Sequence, residues 1–293
     1  MTSKSCAVIV ALGAALLGAT GASATTVFSA AGADIAAIQP TVDGFRAALG
    51  NPNNMNAAGP LAAGRREINW DGGGPPVVNG TPAATPFTTF QNSRGATFTT
   101  PGTGLTQAAA TGGLLSLDLI NATYAGLFAP FSANRLFTPL GSNVTDGFFS
   151  IPGTGGVTPA GVRGFGAVFS DVDLAGSTSI EFFDIFGVSL GVRDVLPATG
   201  NQTFSFLGII LDPGETLIGS IRIITGTTAL GPNESSTVDL VVMDDFLYGE
   251  PHGVPLPATL PLVGLGLLCA AALSRAARAR AAARGQTRAR ING

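Results

Sequence analysis

The chain has 293 residues, 45% of them hydrophobic and only 11% charged, with 41 Gly and 19 Pro and a formal net charge of −3. Charged residues make up about 25% of ordinary globular domains, so this low-charge, Gly- and Thr-rich composition suits an exported all-β protein better than a helical cytosolic enzyme. The charges are also unevenly placed: residues 25–250 carry 8 Arg against all 18 acidic residues, a balance of −10, and an acidic body without a basic face excludes nucleic acid as a partner.

The first 24 residues, MTSKSCAVIVALGAALLGATGASA, carry one charge at Lys4 and an apolar run from Ala7 to Leu17. Ala22-Ser23-Ala24 then forms a small-x-small cleavage site around Ala22 and Ala24. This order is that of a secretory signal peptide, which implies the Sec export machinery as a partner. Cys6 precedes the apolar run and is therefore not a lipoprotein acylation site.

The body spans 25–250. To about residue 130 it is loop-rich, with one good helix candidate within 36–49, around 42–49, closed by Gly50. Short strands are predicted at 26–30, 67–70, 96–99 and 114–120. From 131 the rhythm is more regular, with strands predicted at 135–138, 148–151, 162–173, 179–186, 204–211, 217–225 and 238–248, mostly separated by Gly, Pro, Asn or Asp. Many short strands at spacings of about ten residues point to an all-β fold, a β-sandwich or jelly roll.

Residue counts exclude several chemistries from this body. Cys6 and Cys269 lie outside it, so it has no disulfide framework, thiol nucleophile or Cys-ligated zinc. The single histidine, His252, and the single lysine, Lys4, also lie outside, which removes a Ser-His-Asp triad and Schiff-base chemistry. Carboxylates remain. Asp171 and Asp173 are two apart at a strand end, where period two places both on one side. Asp244 and Asp245 are adjacent in the last strand, so alternation turns one of them inward. Carboxylates with Gly-rich loops suit calcium as a structural brace, so these four are the candidate metal ligands, against the alternative of solvated or loop-capping aspartates. Trp70, the sole Trp, with Asp71 beside it, forms a candidate sugar-stacking corner, against the alternative of a core Trp. Glu181 with Asp184, or Glu67 with Asp71, could serve as a glycosidase pair only if the fold sets them at the right separation.

The tail, 251–293, reads Val254-Pro255-Leu256-Pro257-Ala258, then an uncharged apolar segment over about 258–274, then arginines that include Arg275, Arg278 and Arg280. Sixteen residues from Ala258 to Leu273 give roughly 24 Å of helix, which snorkelling arginines extend towards a bilayer core of roughly 30 Å. Arginines directly after the span hold the C-terminus in the cytoplasm. The expected topology is an exterior body on one C-terminal transmembrane helix.

The order of Pro motif, apolar helix and Arg cluster resembles the VPLPA variant of the PEP-CTERM protein-sorting signal. The resemblance covers roughly the last forty residues, and the tail is longer and more Ala-interrupted than the usual compact form. It implies that the helix is a temporary anchor, that exosortase, a membrane transpeptidase-like enzyme, cuts near Val254–Ala258, and that the protein belongs to a bacterium that makes exopolysaccharide; a permanent single-span anchor is the alternative. The stretches 164–173 and 241–248 resemble, more loosely, secreted β-sandwich domains, lectin-like jelly rolls among them. With no catalytic motif, the expectation is a non-enzymatic structural or adhesive protein at the cell surface or in the exopolysaccharide matrix. A calcium-braced carbohydrate-binding module and a polysaccharide-active enzyme with paired carboxylates stand as alternatives.

Overall fold

The computed structural model describes residues 25–72, 83–111 and 116–253. The signal segment with Ala22 and Ala24, the sorting motif Val254, Pro255, Leu256, Pro257 and Ala258, the apolar span and Arg275, Arg278 and Arg280 all lie outside the described residues. Among the described residues no helix is long and apolar enough to cross a membrane.

In chain order the elements are β1 (Thr25–Gly32), α1 (Ile35–Leu49), β2 (Arg65–Ile68), α2 (Gln91–Arg94), β3 (Ala96–Thr99), β4 (Gly104–Ala108), β5 (Leu136–Leu140), β6 (Val144–Phe149) and β7 (Ala160–Gly161). There follow β8 (Gly164–Ser170), β9 (Ser179–Asp184), β10 (Ser189–Asp194), β11 (Phe204–Leu211), β12 (Ile218–Ile224), β13 (Val242–Gly249) and β14 (His252–Gly253). The first sheet runs β1-β11-β8-β13-β5-β4, with β2 also paired to β13, and the second runs β10-β9-β12-β6-β3. Every pairing within the two sheets is antiparallel. The loop-rich first part therefore supplies strands to both sheets.

The two sheets face one another across one apolar core. Phe165, Phe169, Leu207, Ile209, Met243 and Phe246 of the first sheet meet Phe98, Phe149, Ile180, Phe182, Ile221 and Ile223 of the second. This is the expected β-sandwich. The second sheet alternates buried and exposed residues, as a sheet with one wet face must. The central strands β8, β11 and β13 of the first sheet are buried at every position because their other face is also covered.

The cover is α1. Its buried residues Ile38, Val42, Phe45 and Leu49 recur at steps of four, three and four, which is one helix face. Asp34 caps its start by accepting from the Ala37 amide at 3.0 Å, and Gly50 ends it with φ 110°. Phe45 rests where β8 and β11 place two glycines opposite each other, Gly166 and Gly208. A β-carbon at Gly208 would stand 2.8 Å from the Phe45 ring, so the bare backbone there is the seat of the helix.

One strand expectation is corrected, and two edge strands lie outside the predicted ones. The strand predicted at 114–120 is replaced, over its described part, by a 3₁₀ turn at Leu117–Leu119, followed by a second at Ala122–Gly126. Leu117 enters a separate small core with Tyr124, Phe128, Leu136 and Leu240, so its apolar character serves a turn. β4 and β10 escape prediction because β10 is an exposed edge strand with a Gly at its bulge, and β4 is a short, Thr- and Gln-bearing edge strand.

Candidate functional site

The candidate aspartates fall into two separate networks. Asp244 and Asp245 occupy a bulge on β13. Three steps from Met243 to Phe246 oppose two on β8, from Phe169 to Ala167. The extra residue overturns the alternation expected for neighbours, and both carboxylates reach Ser132. The Ser132 hydroxyl donates to Asp245 Oδ1 at 2.7 Å and lies 3.3 Å from Asp244 Oδ1. Asp244 also accepts from the amides of Phe131 at 2.6 Å, Ser132 at 3.2 Å and Asp245 at 2.8 Å. Asp245 Oδ2 accepts from Arg46 Nη2 at 2.9 Å. Burial, then the Asp245 charge, raises Asp244, and the amides oppose the rise. All four oxygens are occupied by protein donors, so this pair fastens α1 and the 131–132 loop to β13 and is not arranged as a calcium ligand set.

The second network gathers at the end of β8. Asp171 follows the strand with φ 72°, a left-handed conformation that Asp tolerates better than most residues. Its side chain is fully buried, and neither carboxylate oxygen has an amide, guanidinium or hydroxyl donor. Glu234, from the loop before β13, brings its carboxyl into hydrogen-bonding reach of Asp171, so the two acids partner each other through a proton. Asp173 Oδ1 accepts from the Gly200 amide at 2.8 Å, while the Asp173 amide donates to Asp239 Oδ1 at 3.2 Å. Asp239 also takes the Leu174 amide at 3.2 Å and the Ser177 hydroxyl. Burial, then the charges of Glu234, Asp173 and Asp239, pushes Asp171 up to about 9. Burial, then the Asp173 charge, raises Glu234 as well. The sequence reading paired Asp171 with Asp173 but missed Glu234 and Asp239, which arrive from more than sixty positions away and carry no local signal.

Trp70 is the hub of the sandwich core. It is fully buried, stacked on Phe137 with ring centres 3.7 Å apart, and met edge-on by Phe90, Phe98 and Phe246. Its Nε1 donates to the Asp244 carbonyl at 3.2 Å. Asp71 accepts from the amides of Asn134 and Arg135, the latter at 3.0 Å, and from Asn69 Nδ2 at 2.9 Å. The sugar-stacking corner expected at Trp70 and Asp71 is therefore corrected: the ring faces are spent on phenylalanines and the carboxylate on the loop entering β5.

The imagined glycosidase carboxylates are likewise occupied. Glu67 accepts from Arg65 Nε at 2.6 Å and Arg46 Nε at 3.3 Å. Asp184 closes the β9–β10 turn by accepting from the amides of Phe186 and Val188. Glu181 accepts from the Ser189 hydroxyl at 2.7 Å.

An open surface remains on the outer face of the second sheet. Register sets two rows side by side across the strands: Thr97, Phe148, Ser220 and Phe183, then Thr99, Asp146, Arg222 and Glu181. Phe148 is 47% exposed. Arg222 donates to both oxygens of Asp146, at 2.7 and 3.1 Å. A hollow of about 450 Å³, edged by Gln91, Thr97, Thr99 and Asp184, meets a second of about 250 Å³, edged by Asp146, Phe183 and Arg222. Phe148 and Ser220 line both. The alternation of β6, Val144-Thr145-Asp146-Gly147-Phe148, was the sequence signal for this face, but only the pairing shows which neighbours share it.

Comparison with protein-family models, with curated proteins and with solved structures finds no match to this chain.

Proposed function

We propose that this protein is an exported, non-enzymatic adhesive protein of the cell surface or exopolysaccharide matrix, and that the outer face of its second sheet holds a glycan. The signal segment and the tail that resembles the VPLPA sorting signal support export through Sec and processing by exosortase. The observation that carries the binding reading is Phe148, a half-exposed aromatic ring at the junction of two hollows, flanked by hydroxyls of Thr97, Thr99 and Ser220 and by the Asp146–Arg222 pair. A flat apolar ring beside fixed donors and acceptors suits a sugar, which has an apolar C–H face and a rim of hydroxyls. The carboxylates weighed as a catalytic pair, Glu67, Asp71, Glu181 and Asp184, are tied to arginines, amides or a hydroxyl, so acid–base catalysis has less to recommend it.

The test is binding of the full chain, held in a detergent without a sugar headgroup, to a glycan array and to the host's own exopolysaccharide. Retention that Phe148→Ala weakens about three- to tenfold is the expected result. Equal retention by the variant, or none by either protein, would sink the binding reading.

A further inference from the structure

We propose that Arg94 anchors a second binding site, which takes one sugar-acid unit, a carboxylate that carries hydroxyls. The site is built from other residues than the two hollows beside Phe148, and its test does not depend on that face.

Three observations converge. First, Arg94, the last residue of α2, is half-buried, and its Nε and Nη1 are buried with no hydrogen-bond partner. Buried donors without acceptors are rare and costly. Among the described residues no carboxylate stands within 4.0 Å of this guanidinium, whereas Arg46, Arg65, Arg66 and Arg222 each have one. Burial lowers the pKa of Arg94, Tyr248 and Glu67 oppose the fall, and Arg66 adds to it. A charge taken out of water without a counter-ion is expensive, so the group that completes this site is an anion. Second, Arg94 borders a hollow of about 340 Å³ lined by Arg46, Asn53, Glu67, Asn69, Ser132 and Asp245. That volume lies at the small end of small-molecule sites and suits one ring rather than several. Third, the frame around Arg94 is held without its guanidinium. The Arg94 amide donates to the Phe90 carbonyl at 2.7 Å, its carbonyl accepts from the Tyr248 hydroxyl at 3.0 Å, and Arg66 Nη1 donates to the Ser93 carbonyl at 3.3 Å. The backbone is fixed while the outer end of the side chain is not, so its donors are free to turn onto a ligand.

The walls of the hollow select that ligand. Glu67 already accepts from Arg65 Nε at 2.6 Å and Arg46 Nε at 3.3 Å, and Asp245 accepts from Arg46 Nη2 at 2.9 Å. Arg94 is therefore the cation of this hollow left for a ligand. The same two acids repel a dianion such as phosphate more than a single carboxylate, whose two oxygens match a pair of guanidinium N–H groups. Asn53 Oδ1 accepts from the Met55 amide at 3.1 Å, which leaves Asn53 Nδ2 to donate, and the Ser132 hydroxyl, which donates to Asp245 at 2.7 Å, can still accept. A donor and an acceptor beside an anion-binding arginine are what hydroxyls next to a carboxylate require.

Calorimetric titration of the full chain, in the same detergent, uses galacturonate, trigalacturonate, galactose and inorganic phosphate as probes. We expect galacturonate to bind, and galactose and phosphate to bind far more weakly. Binding of galacturonate alone assigns a free sugar acid, and tighter binding of trigalacturonate assigns a unit of an acidic polysaccharide; both support the site. Arg94→Met should weaken galacturonate about ten- to a hundredfold. It should also leave the melting temperature unchanged or raise it, because the guanidinium it removes has no protein partner. Arg94→Lys keeps a charge on a similar stem and should weaken binding by a smaller factor, since an ammonium cannot present two parallel donors. Absence of binding by both uronates, phosphate binding as tight as galacturonate, or binding at full strength in either variant would overturn the proposal. A melting temperature that Arg94→Met lowers by many degrees would overturn it as well, by showing that protein contacts hold the guanidinium.

Discussion

Arg66 and Glu250 meet in the interior, where Arg66 Nε and Nη2 donate to Glu250 Oε2 and Oε1 at 2.6 and 2.7 Å. Arg66 is fully buried on β2, and Glu250 is 3% exposed just past β13. The remaining hydrogen-bonding capacity is also used. Arg66 Nη1 donates to the carbonyls of Met55, Ala57 and Ser93, and Glu250 accepts from Asn54 Nδ2 and the Leu61 amide. One ion pair thus anchors the long loop of 50–64 to the sandwich. Glu250→Ala should cost about 3–5 kcal/mol, because it strands a buried guanidinium, whereas Arg66→Met with Glu250→Leu should cost much less. Urea unfolding of the two variants decides this, and equal losses would contradict it.

Burial raises the pKa of Glu250, but bonds from Arg66, Asn54 and the Leu61 amide outweigh it, and the pKa lies below the ordinary carboxylate value. A depressed folded value means that the unfolded chain binds the proton more tightly. The stabilisation is therefore complete above the unfolded pKa of about 4.3 and fades as pH falls through the lower folded value. Thermal melts should show an acid-side loss that Glu250→Gln removes.

Asp171 behaves in the opposite sense. Its folded value is about 9 against about 3.9 unfolded, so the folded state holds the extra proton. Stability should fall as pH rises from about 4 to about 9, and Asp171→Asn should flatten that slope. A slope unchanged by Asp171→Asn would show that another group carries it.

Phe45 and Gly208 form the seat of α1, and their substitutions should not add. Phe45→Ala should cost about 3–5 kcal/mol through the cavity it leaves, and Gly208→Ala about 1–3 kcal/mol through the clash. Combined, the alanine methyl enters the space that the ring vacates, so the double variant should be more stable than the sum implies. A double-mutant cycle by denaturant titration gives the coupling directly.

On the open sheet face, Phe148→Ala should leave the melting temperature nearly unchanged, because the ring is half exposed. It should weaken glycan retention about three- to tenfold, the scale of one aromatic contact. Arg222→Ala should weaken it too, by freeing Asp146. Unaltered retention in both variants would assign binding to another surface.

For the tail, mass spectrometry of the protein recovered from its native host should show a new C-terminus near Val254–Ala258. A predominant species that retains Arg275, Arg278 and Arg280 would contradict processing there.

Much of the body was legible in the chain itself, because strand and helix patterns are local. The apolar runs of β8, β11 and β12 and the C-terminal end of α1 follow from spacing and capping, and the all-β character follows from short strands divided by turns. Carboxylates as the remaining ionisable chemistry of the body follow from counting Cys, His and Lys. Tertiary structure decided what each of those groups does. Trp70 stacks on Phe137 because β2 and β5 both pair with β13, which brings the chain just past β2 to the β5 ring. Asp244 and Asp245 share Ser132 because a bulge, set by pairing with β8, cancels their alternation. Asp171 meets Glu234, sixty-three positions away, because the loop before β13 folds back over the end of β8. Periodicity extends over a few residues, whereas the dielectric around a carboxylate and the identity of its neighbours are set by contacts between strands distant in sequence.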